Sequence, residues 1–123
     1  MKPTSIIATL AIGVSTVTAG CYGSGDSWPN TEEARVFVRE ACFNDGGMFT
    51  GGWEPLQKKS MCPHAGSNNL GLFFEIENQN SREGFDLNND DCYNRLTDEI
   101  FGCQHGGESS VAGWRVRADP GAC

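Results

Sequence analysis

The sequence predicts an α+β domain: a small disulfide-stabilised α/β sandwich of split βαβ type, with two antiparallel helices on a small antiparallel sheet. Three observations carry that expectation. Two stretches combine a helix cap with apolar residues at helical spacing, two others alternate apolar and polar residues as strands do, and six cysteines are spread through 123 residues. A core of this size is marginal, so an even number of cysteines reads first as three cross-links.

Residues 1–20 read as a secretory leader, not as part of the domain. Met1-Lys2 is a short basic start, residues 6–17 are mostly apolar, and Val17-Thr18-Ala19 ends in small residues, which sets cleavage after Ala19 or Gly20. The apolar run is shorter than the ~20 residues of a membrane span. Thr18-Ala19-Gly20-Cys21 also resembles a lipoprotein box, but lipidating Cys21 would leave an odd number of cysteines. The expectation is therefore a secreted, extracellular single domain over residues 21–123, without membrane insertion.

The elements follow in order. Residues 21–27 are rich in Gly and Ser and can supply only a very short strand. Asn30 is placed to cap a first helix over Thr31–Phe43, with Glu33 as its reciprocal partner and Ala34, Phe37, Val38, Ala41 and Cys42 on one face. Met48-Phe49-Thr50 is a short strand candidate, residues 53–59 are ambiguous, and Ser60-Met61-Cys62 reads as extended. Residues 70–78 form the clearest strand, because Leu72, Phe74 and Ile76 alternate with Phe73, Glu75 and Glu77. Phe85 and Leu87 look like anchors ahead of a second helix, which Asn88 or Asn89 caps and Gly102 ends. Cys92, Leu96, Ile100 and Cys103 run down its inner face. Residues 111–118 complete the order as a last strand, with Trp114, Val116 and Ala118 on one face and Arg115 and Arg117 on the other. Strand, helix, strand, strand, helix, strand is the split βαβ order. Antiparallel helices bring the end of the first near the start of the second, which makes Cys42 and Cys92 natural partners.

Charge narrows the function. Without Lys2 the chain sets eight basic against sixteen acidic side chains, a formal charge of −8. Such a surface repels nucleic acid and anionic membrane. Glycans, basic proteins and cation-conducting channels are the compatible partners.

Candidate chemistry is sparse. Glu75 and Glu77 with Arg115 and Arg117 form cross-strand ion pairs if their strands are neighbours, or share a solvated face if another strand intervenes. Two carboxylates on one strand also suit glycoside hydrolysis in spacing, but nothing marks either as a raised acid. Asp86-x-Asn88-x-Asp90 imitates a calcium loop and fails where Asp91 and Thr97 replace the needed Gly and Glu. Cys62-Pro63-His64 and Cys103-Gln104-His105 lack the Cys-x-x-Cys pairs of a zinc site. No Gly-x-Ser-x-Gly occurs, and His64 and His105 read as loop residues. No cofactor, metal or catalytic role is expected. Tyr22, Trp28 and Trp53 lie outside the clear core. They read either as packing for its edges or, with Asn68 and Asn69 of the loop Ser67-Asn68-Asn69, as a platform on which sugar rings stack.

A resemblance joins these readings. Phe73-Phe74-Glu75-Ile76 with Asn78, Phe85-Asp86-Leu87, Asp91-Cys92, Arg95-Leu96, Glu99-Ile100, Gly102-Cys103, Gly106-Gly107-Glu108-Ser109, Trp114-Arg115, Arg117-Ala118-Asp119-Pro120 and Cys123 together resemble small secreted fungal glycan-binding proteins of the Y-three-like lectin family. The spacing from Cys92 to Cys103 is also similar to that in smut-fungus killer toxins of the killer-toxin-four type. The resemblance implies an α/β sandwich and, through the toxin pattern, the pairs Cys21–Cys103, Cys42–Cys92 and Cys62–Cys123. It implies a secreted, non-catalytic lectin-like protein binding a glycan or cell-surface glycoconjugate, or alternatively a toxin-like effector that blocks a channel. The toxins carry a basic residue two positions before the cysteine that matches Cys62; this chain has Ser60 there, with Lys58 and Lys59 nearby.

Overall fold

The computed structural model describes residues 18–123. Strand β1 (Thr18–Cys21) is followed by helix α1 (Thr31–Phe43), then β2 (Gly52–Trp53), β3 (Lys58–Met61), β4 (Leu72–Asn78) and β5 (Phe85–Asp86). Helix α2 (Asn89–Gly102) leads into β6 (Gly107–Val111) and β7 (Trp114–Pro120). The main sheet has five antiparallel strands in the order β1-β6-β7-β4-β3, and β2 pairs with β5 as a separate two-stranded ribbon. Residues 1–17 of the expected leader lie outside the described residues, while its last three residues pair with β6 as part of β1.

Alternation makes the sheet two-sided. Leu72, Phe74 and Ile76 of β4 and Val116 and Ala118 of β7 are fully buried, while Glu75, Glu77, Arg115 and Arg117 occupy the other face. Val38, Leu96 and Ile100 close the core from the helices. Each such aliphatic side chain contributes about 1.5–3 kcal/mol when fully buried.

Both helices start where the sequence places them. The Asn30 Oδ1 accepts from the Glu33 amide at 3.0 Å, and the Asn88 Oδ1 accepts from the amides of Asp90 and Asp91 at 2.8 and 3.2 Å. Asn88, not Asn89, is thus the cap of α2. Glu33 does not return the bond to Asn30. Its carboxylate instead accepts from the Gly66 amide, tying α1 to the loop after β3. Gly102 is the last residue of α2, and Cys103 follows as the cap.

Three disulfides join Cys21 to Cys103, Cys42 to Cys92 and Cys62 to Cys123, the same pairs that the resemblance implies. The middle one links the last turn of α1 to the first turn of α2, as the antiparallel layout requires.

The structure corrects other expectations. Residues 48–50 form no strand: the Phe49 amide donates to the Ala41 carbonyl, folding that segment back under α1. Phe85 is exposed in the two-stranded ribbon, and only Leu87 is a buried anchor. The C-terminal strand is a hairpin. Val111 and Trp114 face each other across a two-residue turn in which Ala112 (φ 51°) and Gly113 (φ 85°) are both left-handed, so β6 and β7 run antiparallel. Glu108 sits in strand β6.

Candidate functional site

The five residues expected to form a sugar platform do not form one surface. Trp53 is 2% exposed, with Phe49 stacked at 6.3 Å, Trp114 edge-on at 5.3 Å and the Lys59 ammonium 4.2 Å from its ring centre. Trp28 is 9% exposed, stacks on Phe74 at 5.7 Å, and donates its indole N–H to the Cys103 carbonyl at 2.9 Å. Both rings thus take the packing alternative and fill the core, because burying an aromatic ring is among the largest apolar gains available to so small a domain. Asn68 closes its own turn by accepting from the Leu70 amide, and Asn69 (φ 59°) hydrogen-bonds the His64 ring. Tyr22 is half-buried and donates its hydroxyl to Glu108 at 3.1 Å.

Tyr22 borders the charged sheet face. The strands bearing Glu75, Glu77, Arg115 and Arg117 are direct neighbours, with Glu75 opposite Arg117 and Glu77 opposite Arg115. Arg115 nevertheless reaches diagonally to Glu75 at 2.9 Å, to Glu77 at 3.6 Å and to Glu108 at 3.0 Å, while Arg117 pairs with Asp119 at 2.9 Å and lies over the Phe73 ring. Most of these groups pair with one another, although the Arg117 Nε is buried without an acceptor.

A second set of charged groups lies along α2. Helical spacing aligns Asp91, Arg95, Asp98, Glu99 and Gly102 as a stripe beside the buried one of Cys92, Leu96, Ile100 and Cys103. The stripe faces a cavity of about 490 Å³ whose other walls are the Cys21–Cys103 disulfide, Ser109 and Val111. A second cavity of about 440 Å³ opens at the end of the helix, among Ser27, Trp28, Thr31, Phe101 and Gln104. Gly102 lines both, so the two cavities, or lobes, adjoin at the end of α2. Each lobe falls within the roughly 300–1,000 Å³ of small-molecule sites. A Cβ on Gly102 would meet no atom within 4 Å, which leaves the floor of the groove open.

The lobes differ in chemistry. In the second, the Phe101 ring is 54% exposed, and beside it Gln104 donates to the Ser27 hydroxyl, which also contacts the His105 ring. An exposed aromatic face next to hydroxyl and amide groups is suited to a ligand that is apolar on its flat side and hydroxylated at its rim. The first lobe is acidic. Glu99 is 4% exposed, and burial pushes its carboxyl above the ordinary range; Asp98 and Glu108 add to the rise, and a hydrogen bond from Ser109 opposes it. The helix end adds no cation, since the last turn of α2 has no basic residue.

Sequence reasoning missed this groove. One signal was available: a polar stripe at helical spacing that ends in a glycine and adjoins an aromatic residue just outside the buried face.

No protein-family model matches the chain, and a search of curated proteins finds no match. None of the described helices is long and apolar enough to cross a membrane. The class that fold and cavities define is a small, three-disulfide α+β domain with two adjoining cavities at a helix end.

Proposed function

We propose that the protein is a secreted, non-catalytic glycan-binding protein of lectin-like kind, acting at a cell surface, and that its ligand lies in the groove at the end of α2. The observation that carries this reading is the exposed Phe101 ring beside Ser27, Thr31 and Gln104 at a cavity of sugar-binding size. A pyranose presents C–H groups on its faces and hydroxyls around its edge, which fits an aromatic platform rimmed by donors and acceptors. Three disulfides in a small domain are compatible with an oxidising, extracellular setting. The acidic surface agrees with a neutral or cationic partner.

The test is a glycan array with the purified, oxidised protein and two variants. Wild type is expected to give discrete hits that Phe101→Ala weakens at least ten-fold. Gly102→Trp puts a large side chain where a Cβ meets no atom within 4 Å, and is expected to remove binding while the circular dichroism spectrum stays native. An empty array at high protein concentration would sink the reading. Growth inhibition of a target fungus, relieved by added calcium, would then favour the toxin-like alternative.

A further inference from the structure

We infer that the glycan site extends from Phe101 along the seam between α1 and α2 to Tyr93 and Phe43, so that its ligand is a straight, β-1,4-linked oligosaccharide and not a single sugar. The inference rests on the glycan-binding reading and specifies the ligand class.

Two exposed aromatic ends on one seam carry it. The helices run antiparallel, so the start of α1 meets the end of α2 and the end of α1 meets the start of α2. At one end, Thr31 of α1 and Phe101 of α2 line the same lobe. At the other, Phe43 of α1 tilts against Tyr93 of α2 with ring centres 5.8 Å apart. Tyr93, Thr97 and Phe101 recur every four residues, which keeps them on one side of α2. Arg35, Arg39 and Phe43 do the same on α1, and Arg35 donates to the Tyr93 hydroxyl at 3.2 Å, which joins the two stripes. Phe43 is 40% exposed and Phe101 54%, while Thr97 is 8% exposed, so a low floor lies between two raised rings.

The spacing sets the size of the ligand. From Tyr93 to Phe101 the helix rises about 12 Å. That exceeds the width of one pyranose ring, so a monosaccharide touches one end only. A straight seam also selects among chains. β-1,4-linked pyranoses form an extended ribbon with C–H faces along its length, whereas α-1,4-linked ones coil away from a line. Rings at both ends supply the stacking, and uncommitted donors lie between them. Arg39 is exposed and has no ion-pair partner among the described residues. Its guanidinium donates in a fork, which suits hydroxyls on adjacent ring carbons. The Tyr93 hydroxyl accepts from Arg35 and keeps its own hydrogen to donate. An apolar helix of a partner protein laid along the seam would instead cover the Arg39 charge without a counter-ion, which is costly. Continuity with the lobe at Phe101 makes the occupant the same glycan.

The experiment is calorimetric titration of the oxidised protein with two β-1,4-linked ladders, glucose to its tetramer and N-acetylglucosamine to its tetramer. Affinity is expected to rise about ten-fold or more from monosaccharide to tetrasaccharide in at least one ladder. Phe43→Ala should remove that gain and leave the monosaccharide within about two-fold of wild type, whereas Phe101→Ala weakens every rung. Equal wild-type affinities for monosaccharide and tetrasaccharide overturn the inference and leave the glycan reading standing; that comparison needs no variant and decides even if Phe43→Ala does not fold. A length gain that survives in folded Phe43→Ala also overturns it, because the added units then lie elsewhere. So do hits on the glycan array without binding to either ladder. A dimer in sedimentation velocity that Phe43→Ala dissolves would assign the seam to a second copy and overturn the inference. Failure of both ladders and of the array removes the glycan reading itself.

Discussion

Arg115 donates to Glu75 at 2.9 Å although the β4–β7 register sets it opposite Glu77, and the diagonal reach leaves its Nε free to bond Glu108 at 3.0 Å on the far strand. One guanidinium thereby fastens β4, β7 and β6 together.

Removing it should be felt in stability and in its pH dependence. Burial works to raise the Glu108 carboxyl, but hydrogen bonds from Arg115 and Tyr22 outweigh it and hold the group below its ordinary value. A carboxyl depressed on folding adds stability above its unfolded pKa, and that stability is lost as pH falls through the folded value. Arg115→Gln is expected to destabilise by about 2 kcal/mol at pH 7, less than a fully buried pair because the groups are partly solvated. At pH 3 the loss should be much smaller. Urea denaturation at both pH values measures it, and an equal loss at each would refute the account.

Glu99 has the opposite sign. Burial first, then Asp98 and Glu108, raise its carboxyl, with Ser109 opposing. A group raised on folding adds stability below its unfolded pKa and loses it as pH climbs through the folded value. Glu99→Gln should therefore leave the melting temperature near pH 4 unchanged and raise it at pH 7. Scanning calorimetry at the two pH values checks this; a lower melting temperature at pH 7 contradicts it.

Aromatic truncations should separate core from groove. Trp53→Ala is expected to cost about 3–5 kcal/mol, since it empties a site packed by Phe49 and Trp114. Phe101→Ala, at an exposed ring, should change stability by less than about 0.5 kcal/mol. If chemical denaturation finds the reverse order, the assignment of Trp53 to the core is wrong.

The β6–β7 turn holds an improvable residue. Ala112 adopts φ 51° in a turn whose first position favours Asn, Asp or Gly. Ala112→Asn should stabilise by about 0.5–1 kcal/mol, through relief of left-handed strain. Gly106→Ala tests the contrary case, because there φ is +76° and a Cβ would collide with the Ala118 carbonyl. It should lose well over 1 kcal/mol. Midpoints of denaturant unfolding report both.

What was legible in the sequence is what short-range rules determine. Asn30 and Asn88 announce helix starts through their own amide bonds, and Leu72, Phe74 and Ile76 alternate because one face of β4 is dry. The cysteines at the facing ends of two antiparallel helices followed from the layout. Residues whose surroundings are distant in the chain were not legible. Trp53 stands among Gly and Pro, and only Phe49, Lys59 and Trp114 converging on it make it core. Strand β6 reads Gly-Glu-Ser-Ser-Val, without an alternating pattern, and is defined by its partners β1 and β7. The groove needs Ser27 and Thr31 from one end of the chain to meet Phe101 and Gln104 from the other. Nor could spacing show that Arg115 would prefer Glu75 over the residue directly across.

The bond between Cys21 and Cys103 does more than tether a strand to a helix end, since its two cysteines line the acidic lobe. One wall of that cavity is thus covalent and reversible by thiols. Opening that bond would free the end of β1 from the end of α2 and remove a wall of the cavity, so the shape of the cavity depends on the oxidation state of the chain.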